Sequence, residues 1–291
     1  MERLLDRADR GDVIDSVPSM SQVAPIRPTT ERPVTSCEIR MLVTIADLVE
    51  SYRLRYDVYG ALGYLQRFNH ARLDIDEYDS SSLPFGAFDS RTGEMIGTLR
   101  VVLAEPQPDY DYLIRTLVAG YGDADLARQA WGPQPHPLPS IISDEVERQI
   151  EAFNPERFAV FEMSRCIVRS DRRGTGMSRG LTELGMAHAM HRGPAVLIGG
   201  CLPEHLPMYA RYGFAQLPHT GLDHFDSVGQ LAHTIICRTD VLPQPTRSHI
   251  DELLGAMAAG APEHTHELGH GAHAMFRLAA PRRARRRTME W

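Results

Sequence analysis

Apolar and polar positions alternate along the chain in two distinct rhythms. Cys37 to Thr44 alternates as a first strand. Ala46 to Ala61 brings Leu48, Val49, Tyr52, Tyr56 and Tyr59 to one face at helical spacing, with Arg53 and Arg55 elsewhere on the same helix. Phe85 to Phe88 and Met95 to Leu103, joined through Asp89-Ser90-Arg91-Thr92-Gly93, read as a β-hairpin. Between helix and hairpin, Leu65 to Ser82 is a loop rich in acids: Asp74, Asp76, Glu77 and Asp79. Residues 105–140 are irregular apart from short helical pieces near Tyr110–Val118 and Ala124–Trp131. The stretch is too long for a simple connection, so a lid or wall of a site is expected there. Ser143 caps a helix running to Phe153, with Glu145 and Glu147 in its first turn.

The second half turns on one stretch. Phe161 to Gly176 begins as a strand and ends as a glycine turn, and Met177 to His191 continues as a helix. Ala195 to Gly200 is a short apolar strand. Glu204 to Tyr212 is a helix stopped by Gly213, and Phe214–Leu217 and Ala232–Thr239 complete a sheet. Residues 1–35 are polar, carry Pro18, Pro25, Pro28 and Pro33, and show no sustained period, so they read as a flexible arm. From Pro243 to the end, the Pro, Ala, Gly, His and Arg content reads as a flexible tail. The expectation is one α/β domain over 36–242, with a mixed, twisted sheet of about six or seven strands and helices on both faces.

Composition narrows the chemistry. An apolar share of 43% and a charged share of 24% are ordinary for a water-soluble globular chain, and no apolar run approaches a membrane span. The first 20 residues mix acids with arginines and lack an apolar core, so a cytoplasmic location is expected. Cys37, Cys166, Cys201 and Cys237 lie far apart, which argues against a disulfide framework or a cysteine metal site. All 31 basic side chains are arginine. That excludes lysine Schiff bases, lysine general bases and a Walker-type phosphate loop. A net charge of −7 argues against general nucleic-acid binding.

A strand, a glycine turn and a helix in that order can hold a phosphate, because the turn and the helix N-terminus leave backbone amides unpaired beside a partial positive charge. Asp171-Arg172-Arg173-Gly174-Thr175-Gly176 is such a turn, and Tyr209-Ala210-Arg211-Tyr212-Gly213-Phe214 follows about 35 residues later. This order resembles the acetyltransferase-type (GNAT) N-acyltransferase fold. That family usually carries Gln or Arg where Asp171 stands, so Arg172 or Arg173 is the natural substitute for one phosphate contact.

The N-terminal half sharpens the likeness. Leu54-Arg55-Tyr56-Asp57-Val58-Tyr59, Leu62-Gly63-Tyr64, Asp74-Ile75-Asp76-Glu77-Tyr78-Asp79, Gly97-Thr98-Leu99-Arg100 and Glu162-Met163-Ser164-Arg165 follow one another. Together they resemble the acyl-homoserine lactone (autoinducer) synthases and the related long-chain N-acyl amino acid synthases, over roughly residues 40–240. Autoinducer synthases favour Phe, Trp and Glu where Tyr59, Tyr64 and Asp74 stand. These departures favour the N-acyl amino acid branch over an autoinducer synthase using S-adenosylmethionine.

The resemblance implies transfer of a fatty acyl group from acyl-carrier protein or acyl-CoA, a substrate and not a permanently bound cofactor, to the amine of an amino acid or similar small molecule. Glu162 is expected as the base and Tyr209 as the acid that protonates the leaving thiolate. The alternative for Glu162 is an ion pair with Arg100 or Arg165. Arg55, Asp74, Asp76, Asp79, Arg100, Ser164 and Arg165 would hold the acceptor. Ile167, Val168, Arg172, Arg173, Gly174, Thr175 and Gly176 would hold the pantetheine carrier. Arg169, Arg172, Arg173 and Arg179 form a basic cluster to which an acidic carrier protein could dock. A reading from a different class is a non-catalytic module that binds an acyl carrier or CoA.

In the tail, His266-Glu267-Leu268-Gly269-His270 matches H-E-x-x-H. Gly260, Gly269 and Gly271 argue against the helix that this motif needs, so no catalytic metal is expected. His264 and His273 suggest a loose segment capable of adventitious metal binding. The closing arginine run from Arg282 to Arg287 reads as a solvated basic tail.

Overall fold

The structure is a computed structural model, and it describes residues 36–134, 136–153, 157–226, 228–269 and 272–278. The flexible arm and the arginine run expected at the two ends lie outside these residues. Strands β1 (Ser36–Met41), β2 (Ser82–Asp89), β3 (Met95–Val102), β4 (Ala159–Val168) and β5 (Ala195–Cys201) form the middle of a sheet. β6 (Ala215–Gln216), β7 (Asp223–Phe225), β8 (Gln230–Arg238), β9 (Glu263–Gly269) and β10 (Ala272–Arg277) complete it. The order is β6-β8-β5-β4-β3-β2-β1-β10-β9, with β7 beside β8. The β4–β5 and β1–β10 pairs are parallel and the rest antiparallel.

Helices cover both faces. On β3, Thr98 and Arg100 face α1 (Ile45–Leu62), where the Ser51 and Thr98 hydroxyls are 2.7 Å apart. Leu99 and Val101 point the other way, toward α5 (Met177–Met190). The period of two along the strand dictates that split. α5 lies close on the sheet because its contact positions are small: a Cβ on Gly185 would sit 2.7 Å from Leu99 Cδ2. α2 (Pro108–Tyr121) and α3 (Ala124–Ala130) join the α1 side with Ile114, Leu117 and Leu126. α4 (Asp144–Glu151) places Val146 and Ile150 in a third apolar cluster with Val196 and Ile198 of β5.

The sheet has ten strands where about six or seven were expected. Much of the difference comes from the segment read as a flexible tail. α7 (Gln244–Ala258) starts with Pro245 in its first turn and buries Ile250 and Leu253. β10 buries Ala272, Ala274 and Phe276 and exposes His273 and Arg277, and it pairs with β1 from Ser36–His273 to Arg40–Arg277. Alternation is therefore present. It is carried by alanine and histidine, whose polarity contrast is weak, so composition obscures it.

Candidate active site

β4 and β5 pair from Ala159–Ala195 to Glu162–Ile198, and the paired register ends there. Beyond that point β4 is bulged. Thr98 faces Ile167 and Arg100 faces Ser164, which leaves Arg165 and Cys166 opposite Leu99 alone. Arg165 adopts φ 54°, a left-handed conformation that costs a non-glycine residue about 1–3 kcal/mol. A cavity of about 960 Å³ opens in this part of the sheet. It lies at the upper end of the range for sites that enclose small molecules.

Glu162 lines this cavity and is 1% exposed. Its Oε2 accepts a hydrogen bond of 2.5 Å from the Ser140 backbone N–H. Burial pushes its carboxyl above the ordinary value of 4.5, and the opposing pull of Arg100 and of hydrogen bonds from Ser140 and Ser164 does not cancel that push. Among the described residues no ion pair within 4 Å joins Glu162 to Arg100 or Arg165, the partners in the alternative reading. Pro139 and Ser140 also line the cavity, so the 105–140 stretch does supply part of its wall.

Seven side chains were expected to hold the acceptor, and the structure divides them. Arg100, Ser164 and Arg165 line the cavity. Arg55, Asp74, Asp76 and Asp79 do not; they are buried behind it in a network with the arginines. Arg55 donates through Nε to Asp74 Oδ2 at 2.9 Å, and through Nη1 and Nη2 to the two Asp79 oxygens at 2.8 and 3.2 Å. Arg100 Nη1 donates to Asp76 Oδ1 at 2.5 Å and Asp79 Oδ1 at 3.0 Å, and its Nε donates to Ser164 Oγ at 3.0 Å. Arg165 Nη2 donates to Asp76 Oδ2 at 3.0 Å, and its guanidinium lies 5.3 Å from the Tyr59 ring centre.

Burial raises the carboxyls of Asp74 and Asp76. The guanidiniums outweigh it and hold both below the ordinary carboxylate value: Arg165 and Arg55 for Asp74, Arg100 and Arg165 for Asp76. Three positive and three negative charges cancel, which is the condition for burying them together. Two donors of the network lack a hydrogen bond: Arg165 Nε, which still lies 3.1 Å from Asp74 Oδ2, and one on Arg100. Arg100 Nη2 is buried without a hydrogen-bond partner, on a residue of the cavity wall. An unmet buried guanidinium donor is costly unless a ligand meets it.

α6 (Leu206–Ala210) carries Tyr209, half-buried on the cavity wall. Its ring lies edge-on to Phe214 and Tyr212, with centroids 5.7 and 6.3 Å away. Burial, helped by the neighbouring Cys166, pushes its phenol well above the ordinary value of 10. Tyr209 is therefore a protonated donor at neutral pH. Cys166 shares the cavity wall, and burial raises its thiol to about 11, so it stays neutral.

At the other end, Ile167, Val168, Arg172, Arg173, Gly174 and Gly176 line the cavity. Thr175 is absent from the lining; its hydroxyl donates to the Arg172 carbonyl at 2.7 Å and fixes the turn. Gly174 and Gly176 take φ of 78° and 82°, open to glycine at little cost. Gly176 is also the N-cap of α5 and supplies no side-chain acceptor, so the first amides of this 14-residue helix are left for another partner. Asp171 is clamped by Arg169 through hydrogen bonds of 2.7 and 3.0 Å. Arg172 is turned inward toward Asp89, at 3.5 Å, and Arg173 is the exposed guanidinium of the turn.

Two participants escaped sequence reading. Ser140 acts through its backbone amide, which no side-chain pattern announces. Cys166 reads as an ordinary buried cysteine until the bulge turns it to the cavity.

No family model and no curated protein matches the chain. Among solved structures, it is similar to FeeM, an N-acyl amino acid synthase from uncultured soil microbes. Identity is 18%, coverage 73% of this chain and 94% of that one, and the TM-score 0.47. It is also similar to BjaI, a CoA-dependent acyl-homoserine lactone synthase, at 14% identity, 75% and 90% coverage and a TM-score of 0.47. ElaA of Escherichia coli is a third, at 14% identity, 69% and 99% coverage and a TM-score of 0.41.

Proposed function

We propose that the chain is an N-acyltransferase that moves an acyl group from a pantetheine thioester to the amine of a small carboxylate-bearing acceptor such as an amino acid. The observation that carries this reading is the placing of Glu162, Tyr209, Arg100 and Arg165 on one cavity, with the uncapped α5 N-terminus beside it.

The carrier's phosphates bind the amides at Gly174–Ser178, with Arg173 beside them. Its pantetheine arm runs along Ile167 and Val168, and the thioester lies in the gap beyond the end of β4–β5 pairing. The acceptor's carboxylate is drawn to the positive charge of Arg100 and Arg165 on the cavity wall, which orients the amine toward the carbonyl. Glu162 takes a proton from the ammonium, directly or through one water. Its raised pKa makes it a stronger base than a solvated glutamate. The amine attacks, a tetrahedral intermediate forms, and the C–S bond breaks as Tyr209 protonates the departing sulfur; the second amine proton passes from nitrogen to the Tyr209 phenolate as the amide forms, and Glu162 returns its proton to solvent.

The test is mass spectrometry of lipid extracts from cells overproducing the protein. An accumulating N-acyl product that retains a free carboxylate is expected, and it names donor length and acceptor together. Acyl-homoserine lactone with methylthioadenosine would assign S-adenosylmethionine as the acceptor instead. No new acylated amine, with acyl-CoA bound but unconsumed by the purified protein, would favour a binding module.

A further inference from the structure

We propose that Glu252, His264 and His266 form a site for a divalent transition-metal ion of the zinc class, which clasps α7 to β9. Successive residues of a strand alternate between faces, so His264 and His266 share one face of β9. α7 presents Glu252 to that face. The three side chains each offer a ligand atom, and these atoms all lie within 4.8 Å of one another. Glu252 Oε2 is 3.5 Å from His264 Nε2 and 3.6 Å from His266 Nδ1. Those distances are longer than ordinary hydrogen bonds. They are close to the spacing of about 3.3–3.5 Å that a tetrahedral ion sets between ligands at about 2.0–2.1 Å.

A second observation comes from His266 itself. Its Nδ1, the atom nearest Glu252, has no hydrogen-bond partner among the described residues and is free to ligate, while Nε2 on the opposite side of the ring is buried. Neither nitrogen of this partly buried ring makes a hydrogen bond among the described residues. The ring is held edge-on by His249, with centroids 3.6 Å apart, and His249 Nδ1 lies 3.1 Å from Glu183 Oε1. Glu252 is half-exposed, so water can complete the coordination. Two imidazoles and a carboxylate suit zinc and its neighbours better than magnesium or calcium.

This is not the H-E-x-x-H motif. On β9, Glu267 faces away from His266, and His270 lies outside the described residues. The clasp also has a place in the fold. Two residues after His266, Leu268 lines the cavity, and its carbonyl is 2.7 Å from where a Cβ on Gly176 would sit. A metal that holds β9 to α7 therefore holds the strand that packs on the glycine turn. The inference does not depend on the acyl-transfer reading.

The experiment titrates untagged, chelator-treated full-length protein with Co2+ and then Zn2+, followed by visible absorption, calorimetry and thermal melting. One equivalent of Co2+ with a tetrahedral visible band, displaced by Zn2+, is expected. The melting temperature is expected to rise by about 5–10 °C at a hundredfold excess over Kd. His264→Ala/His266→Ala is expected to abolish the band, and His273→Ala to retain it. Should the double variant fail to fold, Glu252→Gln decides: affinity is expected to fall at least about tenfold, with the metal-free melting temperature unchanged. Undiminished binding in these variants, or weak non-stoichiometric uptake by the wild type (an adventitious ion only), would overturn the proposal.

Discussion

Glu162 holds its charge where charge is least favoured, and that gives it two separable consequences. Its folded pKa lies above the ordinary 4.5, so the stability linked to its protonation is present below that value and lost as pH rises through the folded pKa. Above its folded pKa the ionised group therefore weighs against folding. Glu162→Gln keeps an acceptor for the Ser140 amide and removes that charge. Its melting temperature at pH 7 is expected to equal or exceed the wild type's, while kcat falls about 10²–10⁴-fold with KM little changed. A glutamate that merely braced the wall would show the reverse, a lower melting temperature and normal turnover. Tyr209→Phe is expected to lower kcat and to leave the carrier's affinity intact, read by equilibrium binding of acyl-CoA. Because the phenol stays protonated well above pH 10, it adds no alkaline limb in the neutral range.

At the scale of elements, the acid loop between α1 and β2 folds back onto β3 and the β4 bulge through the arginine–aspartate network. Arg55 is 2% exposed and touches no part of the cavity, so its job is to hold Asp74 and Asp79, which in turn position Arg165 and Arg100. Arg55→Met leaves two carboxylates short of a partner and is expected to destabilise the protein by about 3–5 kcal/mol in denaturant melts. The depressed pKa values of Asp74 and Asp76 set an acid limit. Their contribution is complete above the ordinary carboxylate value of 3.8 and is lost as pH falls below it. Melting temperature measured against pH is therefore expected to drop steeply below about pH 4 in the wild type, and much less in a variant already lacking the network.

The same elements mark how far the sequence was legible. The glycine turn and α5 were readable because a turn with positive φ selects glycine and the following helix has a clear apolar period. The expectation that Asp74, Asp76 and Asp79 hold the acceptor comes from the likeness of their motif to the autoinducer and N-acyl amino acid synthases. Pattern alone does not say which arginine each one meets, and the burial that turns them into scaffold arises only when the loop closes on β3. Arg100, Ser164 and Arg165 reach the cavity because the bulge re-aims β4, and a bulge depends on register, which one strand's sequence does not encode.

For the molecule as a whole, the C-terminal segment carries the largest revision. Ile250 and Leu253 pack among the same apolar residues as α5, and Phe276 and Ala274 are buried beside β1. Truncation after Leu242 would expose this surface, so the shortened chain is expected to melt at least about 5 °C lower or to aggregate. Unchanged melting would contradict the role of α7, β9 and β10 in the core. No helix among the described residues is long and apolar enough to cross a membrane. The cavity, the charge network and the glycine turn all converge on β4, which supplies Glu162, Ser164, Arg165, Ile167 and Val168 within one strand.

We propose that this strand catalyses thioester aminolysis through Glu162. Its most direct test is single-turnover release of free thiol from acyl-CoA or acyl-carrier protein, with and without an amino acid acceptor, across pH 4.5–9 for wild type and Glu162→Gln. Thiol release that requires the acceptor, matches N-acyl product mole for mole, and falls on the acid side through an apparent pKa above 4.5 in the wild type is expected, with the variant slower by about 10²-fold or more. Equal rates and equal pH profiles for the two proteins, or thiol release indifferent to the acceptor, would contradict it.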